Sequence, residues 1–462
     1  MSTAKCVYVV FDRLGAPKGA AVHIAAFARA LGEAFGPVDL VTVASDANGV
    51  AGVTTKPGGP CSGTAGTAAP PNTPAEDCGP AKTMVTPGAA VPPGVNHHPL
   101  PARGENLIAR ANDFRRNLAR WWNRRKVEVL HFRSIFEGYP LALHKAHVCD
   151  KLVFEVNGLP SIELKYHYPG IADDREFLGK LIAQEDVCLR AADLVLTVSP
   201  TNAEYLISRG VPAERIRVIP NGVDLSVFDY SPPKLPAASP IRLLYSGTMA
   251  AWQGVYRAIE ALELIRKDVS ATLTLLGPMT PRRRAEIEDA CRELGVLEHV
   301  TILEAGDQAM VARIHHEHHI ALAPLLRNDR NLVQGCCPLK VLEAMAGGTP
   351  LVASDMPVVS ALAGNEREAL LVKPGSAKAI KDAVLRLLAD PDLALRLSNA
   401  ARRRVEAEFT WHIAGQRLID AYEEVLGVRR ATFGVRRLDA AFRRAPGRYW
   451  LPESERNGKE RG

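Results

Sequence analysis

Cysteine is scarce in this chain, with 8 among 462 residues, and no two cysteines form a CxxC pair. Cys336 and Cys337 are adjacent, which suits neither a zinc knuckle nor an easily formed disulfide. No uninterrupted apolar run is long enough to span a bilayer. We therefore expect neither a disulfide framework nor a membrane-spanning protein, and we expect reduced thiols in a cytoplasmic protein.

The first apolar run is short and soon reaches Asp12 and Arg13, so it predicts a first strand rather than a signal peptide. Apolar residues make up 47% of the chain and charged residues 23%, which is a globular composition. A length of 462 residues exceeds one ordinary core and indicates at least two domains. The net charge of +6 is mild and is compatible with an acidic ligand.

Short apolar runs alternate with helical patterns along most of the chain. Examples of strands are VEVLHF and DLVLTVS in the first half and IRLLYSG and ATLTLLG in the second. Continuous apolar strands that are each followed by a helix are typical of a parallel sheet covered on both faces. The sequence therefore predicts an α/β protein with two Rossmann-like domains, whose strand ends face a shared cleft.

Composition marks the boundaries between these parts. A stretch rich in Gly, Pro, Ala and Thr interrupts the first half and is interpreted as a flexible insertion, and a proline-rich segment divides the two halves. The predicted parts are a first domain at 1–230, its insertion at 46–101, a linker at 231–240, a second domain at 241–427 and a tail at 428–462.

The segment GCCPLKVLEAMAGGTPLVAS, residues 335–354, contains an unusual arrangement of charge. Pro338 suits the first position of a helix that we expect to continue to Ala346, and the glycines at 347 and 348 permit the turn that ends it. Lys340 would lie in the first turn, where a cation opposes the helix dipole unless an anion is present. Glu343 would lie beside it on the same helix face.

The backbone N–H groups before this helix lack intrahelical partners and can hold a phosphate. The segment concerned is Gly335, Cys336, Cys337, Pro338 and Leu339, and each of these residues except Pro338 carries a backbone N–H. A lysine for phosphate and a glutamate for ribose hydroxyls would together suit a nucleotide. By spacing alone, an ordinary surface Lys–Glu pair worth about 0.3–0.5 kcal/mol explains the same residues.

Several segments in order resemble the retaining glycosyltransferases of family 4, which have the GT-B fold. PLKVLEAMAGGTPLVAS is similar to the donor-site signature of the subgroup with a PLK-x-x-E segment. APKGAAVHIAAFARAL is similar to the family's amino-terminal glycine loop, and RVIPNGVDLSVF, LLYSGTMAAWQGVYRAIEAL and FTWHIAGQRLIDAYEEVL also match. The resemblance covers most of the chain apart from the insertion and the tail.

This resemblance implies roles for individual residues. Glu343 would bind the ribose, Lys340 would reach the diphosphate, and the final helix would cross back to the first domain. The backbone near the donor phosphate would come from the positions that match the family's glycine turn and first donor-domain strand, which are Gly19, Ala20, Gly247 and Thr248.

The chain departs from the family pattern at three places. The first of two glutamates that the family separates by seven residues falls on Gly335 here. Trp252 and Gln253 stand near the family's usual basic pair, so Lys340 would supply the positive charge alone. Asn157 replaces a histidine at a strand end, which makes Asn157 and His131 candidates for catalysis on the acceptor side, together with Glu155.

The resemblance implies a sugar transfer from a nucleotide sugar to an acceptor hydroxyl, with retention of anomeric configuration and with neither a cofactor nor a metal. The acceptor could be a small molecule or a lipid-linked one. A nucleotide-sugar epimerase of the same fold and a non-catalytic nucleotide-sugar-binding protein are the alternatives. IHHEHHI contains four histidines but not an HExxH pattern, so it favours a packed helix end over a metal site.

Arginine pairs recur every seven residues near the end of the chain, at 429, 436 and 443. With an apolar stripe on another face, this pattern predicts a basic amphipathic helix over 428–448. Such a helix can contact an anionic membrane surface or pack on the first domain with its arginines in water. No motif indicates nucleic-acid binding.

Overall fold

The computed structural model describes residues 6–15, 19–44, 91–235 and 240–428. Within these residues the chain folds into two parallel β-sheets, one in each half, which confirms the α/β fold predicted from the sequence. Alternate residues of the first strand enter different cores: Val7 and Val9 pack in one cluster, and Cys6 and Tyr8 pack in another. The first sheet is therefore buried on both faces, as its continuous apolar strands require.

The first sheet has seven strands in the described residues, in the order β3-β2-β1-β4-β5-β6-β7, and every pairing is parallel. The strands are β1 (Cys6–Val9), β2 (Val38–Val43), β3 (Val95–Leu100), β4 (Val127–Phe132), β5 (Cys149–Val156), β6 (Leu194–Thr197) and β7 (Ile216–Val218). The chain reverses the direction of strand addition after β3, between the neighbours β1 and β4. Ligands in such open sheets bind outside the carboxyl ends of the strands at this point.

The second sheet has six parallel strands in the described residues, in the order β10-β9-β8-β11-β12-β13. They are β8 (Ile241–Ser246), β9 (Ala271–Leu276), β10 (Val300–Leu303), β11 (Ile320–Ala323), β12 (Leu351–Ser354) and β13 (Leu370–Val372). The switch in this sheet lies between β8 and β11. The carboxyl end of β8 therefore lies at the place where a ligand is expected.

Helices connect the strands in both halves. In the first half they are α1 (Gly19–Phe35), α2 (Leu107–Trp122), α3 (Ile135–Leu143), α4 (Lys145–Val148), α5 (Pro160–His167), α6 (Arg175–Ala191) and α7 (Pro200–Ser208). In the second half they are α8 (Val255–Ile265), α9 (Pro281–Glu293), α10 (Gln308–Glu317), α11 (Leu339–Gly347), α12 (Pro357–Ser360), α13 (Ala377–Ala389), α14 (Pro391–Glu408) and α15 (Trp411–Leu426).

One part of the predicted insertion is wrong. Residues 95–100, assigned to the flexible segment 46–101, form β3 and pair in parallel with β2. The strand was missed because VNHHPL carries two histidines and a proline instead of an apolar run. Pro99 is tolerated because β3 is an edge strand and a missing N–H there costs no ladder bond. The rest of the insertion up to residue 90 lies outside the described residues.

Helix α15 returns from the second half and packs against α1 of the first domain, as the resemblance implies. Leu418, Ala421 and Tyr422 of α15 enter the same core cluster as Ile24 and Phe27 of α1. The basic helix predicted over 428–448 lies, after Val428, outside the described residues. None of the described helices combines the length and the apolar sequence that a bilayer span requires.

Candidate active site

A cleft of about 2060 Å³ lies between the two domains. The first domain contributes the amino-terminal end of α1 and residues that follow β4 and β5, including Arg133 and Asn157. The second domain contributes residues at the carboxyl ends of β8 and β9 and the loop that enters α11. Both parallel sheets thus present their carboxyl strand ends to one cavity, which is the place that their topology predicts.

The loop before α11 forms a cradle of free amides. A π-helical turn, Arg330–Gln334, ends at Gly335, whose φ of 76° lies in the left-handed region. Pro338 is extended and α11 begins at Leu339, so the prediction that Pro338 is the first helical residue is wrong by one position. Among the described residues, the N–H groups of Cys336, Cys337 and Leu339 have no acceptor. These three residues line the cleft, so the helix entry leaves unpaired donors at its wall, as an anion site requires.

Lys340 lies in the first turn of α11 and lines the cleft. Its Nζ is buried and has no hydrogen-bond partner among the described residues. The ring of Tyr245 stabilises the ammonium by a cation–π contact, with its centroid 4.2 Å from Nζ. A Cβ on Gly247 would lie 2.9 Å from Nζ, so only glycine leaves room for the ammonium at the end of β8. An unpaired buried ammonium is costly, and an anion in the cleft would relieve that cost.

Burial moves the pKa values of both charged groups on α11 towards the neutral form. It lowers the pKa of Lys340 to about 7, an effect that nearby Glu343 opposes. It raises the pKa of Glu343 to about 7, which Lys340 opposes. Both residues line the cleft, on the same helix. Such perturbed values are typical of binding and catalytic sites rather than of an exposed surface pair.

The glycines predicted to approach the donor lie where the two domains meet. Gly19 begins α1, and a Cβ there would collide with the side chain of Leu339 across the cleft. Ala20 and Thr248 also line the cavity, and Thr248 is exposed. The amino-terminal end of α1 therefore faces the amino-terminal end of α11. Two helix N-termini converge on one space, which favours an anionic ligand.

Gly335, which takes the place of the family's first glutamate, is buried against the first domain and does not line the cleft. A Cβ at this position would lie 2.5 Å from Oγ of Ser199 and 2.9 Å from the backbone nitrogen of Asn202. A glutamate side chain has no space there in this closed arrangement. Because the residue at position 335 is glycine and not glutamate, the two domains can approach each other closely at this point.

The expectation that Lys340 alone supplies positive charge is wrong. Arg133 and Arg330 also line the cleft. Arg330 donates from Nε to Glu163 at 2.9 Å and stacks over the ring of Trp252, with its Cζ 4.4 Å from the centroid. Arg133 follows β4 and Arg330 begins the π-helical turn, and no helical or strand periodicity in the sequence marks either position.

Gln253 stands near the family's usual lysine position and also lines the cleft. Its Oε1 is buried without a hydrogen-bond partner among the described residues. An orphaned buried acceptor needs a donor from a ligand or from water to offset its lost hydration. Gln253 therefore offers an oxygen to a hydroxyl group rather than a charge to a phosphate.

The two residues predicted for the acceptor side have different environments. Asn157 lines the cleft, its amide nitrogen donates to Glu155, and its Oδ1 is buried without a partner among the described residues. His131, the other candidate for catalysis on the acceptor side, is fully buried and does not present its ring to the cleft. Its Nδ1 lies 2.8 Å from the hydroxyl of Tyr422 on α15, and its ring stacks on Tyr8. Burial lowers the pKa of His131 and favours the neutral imidazole.

Sequence reasoning did not find His23 or Asn221. His23 lies on α1, with Nδ1 2.8 Å from Oδ1 of Asn221 and Nε2 2.8 Å from Glu155. The amide of Asn221 donates to the carbonyl of Cys337 at 2.8 Å. These contacts connect the first domain to the loop before α11 of the second domain. The matched segment IPNGV contained Asn221, but only the tertiary structure shows which carbonyl it holds.

The histidine-rich segment is packed into the second domain, as the sequence favours. His318 contacts the carbonyl of Ile314 at 2.6 Å and the hydroxyl of Thr274 at 2.7 Å. His319 accepts from the backbone N–H of Arg242 at 3.0 Å. Within the part of the chain that the structure describes, no group of three or more His, Cys, Asp and Glu side chains is arranged to hold a metal ion.

Comparison with known families agrees with this geometry. The model of Glycosyltransferase Family 4 matches residues 17–227, and the model of Glycosyl transferases group 1 matches residues 229–404. The chain belongs to the GT-B glycosyltransferases. The two matches meet at the segment that joins the sheets, so each model corresponds to one of the two domains.

Similar proteins of this family share the sequence only in part. A glycogen synthase of Mycobacterium tuberculosis is 28% identical over 249 residues, covering 52% of this chain and 56% of the relative. A D-inositol 3-phosphate glycosyltransferase of Xylanimonas cellulosilytica is 27% identical over 269 residues, covering 55% and 62%. The matched region thus spans only a little over half the length of these curated relatives.

Solved structures share the whole fold. The sucrose-phosphate synthase of Thermosynechococcus elongatus superposes with a TM-score of 0.69 at 21% identity, covering 92% of this chain and 100% of that one. HepE of Anabaena, solved in complex with UDP-glucose, superposes with a TM-score of 0.64 at 13% identity, covering 91% and 99%. At these identities the likeness establishes the GT-B fold.

Proposed function

We propose that this protein transfers a sugar from a nucleotide diphosphate sugar to an acceptor hydroxyl, with retention of the anomeric configuration. The observation that carries the proposal is Lys340, whose buried ammonium has no hydrogen-bond partner in the described part of the chain and adjoins the unpaired amides before α11. A diphosphate supplies the negative charge that this arrangement lacks. The HepE structure, which contains UDP-glucose, supports a nucleotide-sugar donor for a protein of this fold.

The donor would lie across the second domain, with roles assigned to individual groups. Lys340 and the amides of Cys336 and Cys337 would hold the diphosphate. Glu343 would accept hydrogen bonds from the ribose hydroxyls. The amino-terminal end of α1, at Gly19 and Ala20, would approach the phosphates from the first domain, since no side chain larger than that of alanine stands there. The sugar would then face the side of the cleft that Asn157 lines in the first domain.

The chemistry follows from these positions. The bond between the anomeric carbon and the phosphate oxygen breaks, and its electron pair stays on the diphosphate. The acceptor oxygen forms the new bond on the same face and passes its proton to the departing phosphate. Lys340 and the amides stabilise the charge that develops on the leaving group, which is electrostatic catalysis by preorganised donors. The nucleotide sugar is a co-substrate, and no resident cofactor takes part in these steps.

The donor is identified by screening UDP-, GDP- and ADP-sugars for thermal stabilisation of the protein. A ligand at about a hundred times its dissociation constant stabilises by about 2.7 kcal/mol. Turnover of the selected donor is then followed with acceptor panels, and the coupling constant of the anomeric proton in the product reports retention or inversion. An inverted product would overturn the retaining mechanism.

Two other outcomes separate the alternatives. Conversion of the donor to an isomeric nucleotide sugar in the absence of acceptor would indicate an epimerase. Binding of a nucleotide sugar without turnover, in the presence of acceptors and of water, would indicate a binding protein. Release of nucleoside diphosphate together with a glycosylated product supports the transferase.

A further inference from the structure

Three side chains that line the cleft meet on one oxygen of a buried carboxylate. Oε1 of Glu155 lies 2.8 Å from Nε of Arg133 and 2.8 Å from Nε2 of His23, and it accepts a hydrogen bond from the amide of Asn157. The other oxygen, Oε2, faces the core and accepts from the hydroxyl of Tyr8 at 2.7 Å. Glu155 therefore fixes the orientation of these three cleft side chains from its position in the core.

Glu155 is ionised in this environment. Burial by itself would raise its pKa, but Arg133, His23 and the hydrogen bond from His131 hold the pKa well below its usual range. A carboxylate that is 1% exposed remains charged only when such donors surround it. The ion pair with Glu155 keeps the guanidinium of Arg133 in one orientation, which reduces the entropy lost when that guanidinium binds a ligand.

Arg133 uses only one of its donor nitrogens in this contact. Its Nε binds Glu155, and among the described residues its two terminal nitrogens have no hydrogen-bond partner. The side chain is 12% exposed and lines the cleft. A planar guanidinium with two free parallel donors matches the two oxygens of a carboxylate or phosphate. Beside it, Oδ1 of Asn157 is a buried acceptor to which no described residue donates a hydrogen bond.

The other cations of the cleft have different tasks. Lys340 lies at the free amides of the second domain, where the diphosphate is proposed to bind. Arg330 is paired with Glu163 and stacks on Trp252. Arg133 projects from the opposite wall, after β4 of the first domain, and shares Oε1 of Glu155 with Asn157.

We propose that Arg133 and Asn157 form an anion subsite for the acceptor. The acceptor would carry a phosphate or carboxylate that binds the terminal nitrogens of Arg133 and a neighbouring hydroxyl that donates to Oδ1 of Asn157. The substrate class is thus an anionic sugar or polyol. This inference rests on the proposed transferase function and adds the chemistry of its second substrate.

The first test measures binding of inorganic phosphate to protein saturated with the nucleoside diphosphate that the donor screen selects. At constant ionic strength, phosphate should bind the wild-type complex, and R133M should bind it about 10- to 100-fold more weakly. R133K keeps a positive charge beside Glu155 but loses the two parallel donors of the guanidinium, so its affinity for phosphate should be intermediate. The control R116M removes an exposed arginine of α2 that pairs with Asp113, and it should bind like the wild type.

The second test compares matched acceptors: glucose with glucose 1-phosphate and with glucuronate, and inositol with inositol phosphate. The wild type should bind the anionic member of each pair at least about tenfold more tightly in the nucleotide complex, and R133M should bind both alike. The preferred anionic member also separates phosphate from carboxylate recognition.

Several outcomes would overturn the inference. They are no phosphate binding by the wild-type complex, equal affinity in R133M and R133K, equal binding of neutral and anionic acceptors, or a loss of nucleoside diphosphate affinity in R133M as large as that in a Lys340 variant. If R133M does not fold, R133K and the wild type decide the question. Failure of the transferase itself is distinguishable, because no donor would then be bound or turned over.

Discussion

Lys340 shows how a single residue connects burial with ligand binding. Its ammonium is held over the ring of Tyr245 and has no hydrogen-bond partner within the described ranges, and burial lowers its pKa to about 7. A diphosphate beside it would favour the charged form and raise that pKa. The residue therefore binds its ligand and a proton together, whereas an exposed lysine would already be protonated.

At pH 8 nucleoside diphosphate binding should take up a proton. With a pKa of about 7, most Lys340 side chains are neutral at pH 8, so the dissociation constant should rise with pH above 7, by up to about tenfold per unit. Calorimetry in buffers of different ionisation enthalpy measures the uptake. K340M should lose the uptake and weaken binding about 10- to 100-fold.

The matched control is K378M, which removes an exposed lysine of α13 that pairs with Asp382. It should leave both the affinity and the proton uptake unchanged. A wild-type enthalpy that is independent of buffer at pH 8 would contradict the role given to Lys340.

At the scale of the element, the loop between the π-helical turn and α11 depends on Gly335. Its φ of 76° and its contact with Ser199 and Asn202 leave no room for a side chain. The residues after this turn line the cleft, and the turn itself places the loop against α7 of the first domain. The strand and helix before and after it would form with many sequences, but this connection requires glycine.

G335A should lower the free energy of unfolding by about 1–3 kcal/mol more than G295A does. Gly295 is the control because its φ of 66° is similar and a Cβ there would meet nothing within 4 Å. Both variants place alanine at a positive φ, but Gly335 also has a ψ of 165°, a combination that is essentially restricted to glycine. In addition, only G335A adds the collision with the first domain. Urea denaturation measures both losses, and equal losses would refute the contact.

At the scale of the whole molecule, the two domains are joined along one rim of the cleft by an interdomain clasp formed by Glu163, Lys165 and Tyr166 of α5 with Asp329 and Arg330. Asp329 accepts hydrogen bonds from both Lys165 and Tyr166, and Arg330 binds Glu163 at 2.9 Å. These contacts hold α5 of the first domain against the segment that precedes α11 in the second domain. Substrates bound on the two domains would therefore be kept at a fixed separation.

D329A should open the cleft. Removing two partly exposed polar contacts weakens closure by about 1–2 kcal/mol, which corresponds to a loss of about 5- to 30-fold in kcat/KM. Small-angle scattering should show a larger radius of gyration. D382A, which removes an exposed ion pair within α13, should change neither quantity. An unchanged radius and rate in D329A would show that the clasp does not hold the domains closed.

The sequence was a good guide wherever a structure depends on neighbouring residues. VEVLHF became β4, IRLLYS became β8, and the helix that carries Lys340 and Glu343 began one residue from its predicted start. The hydrophobic periodicity and the apolar content of a segment determine such elements, because the hydrogen bonds of a helix are local and those of a strand run along its whole length to a neighbouring strand. The edge strand β3 was missed because its residues include histidines and a proline and its pairing partner lies far along the chain.

The candidate site divides in the same way. Lys340, Glu343 and the loop glycines could be found from one segment, because a helix entry, its free amides and its first-turn charges lie within ten residues. Arg133, His23 and Asn221 could not, and His131 was misplaced. Their roles depend on Glu155 and Cys337, which come from other elements. By itself the sequence determined most strands, most helices and the loop before α11, and only the tertiary structure decided which distant side chains face the cleft, because that depends on how two separately formed sheets pack together.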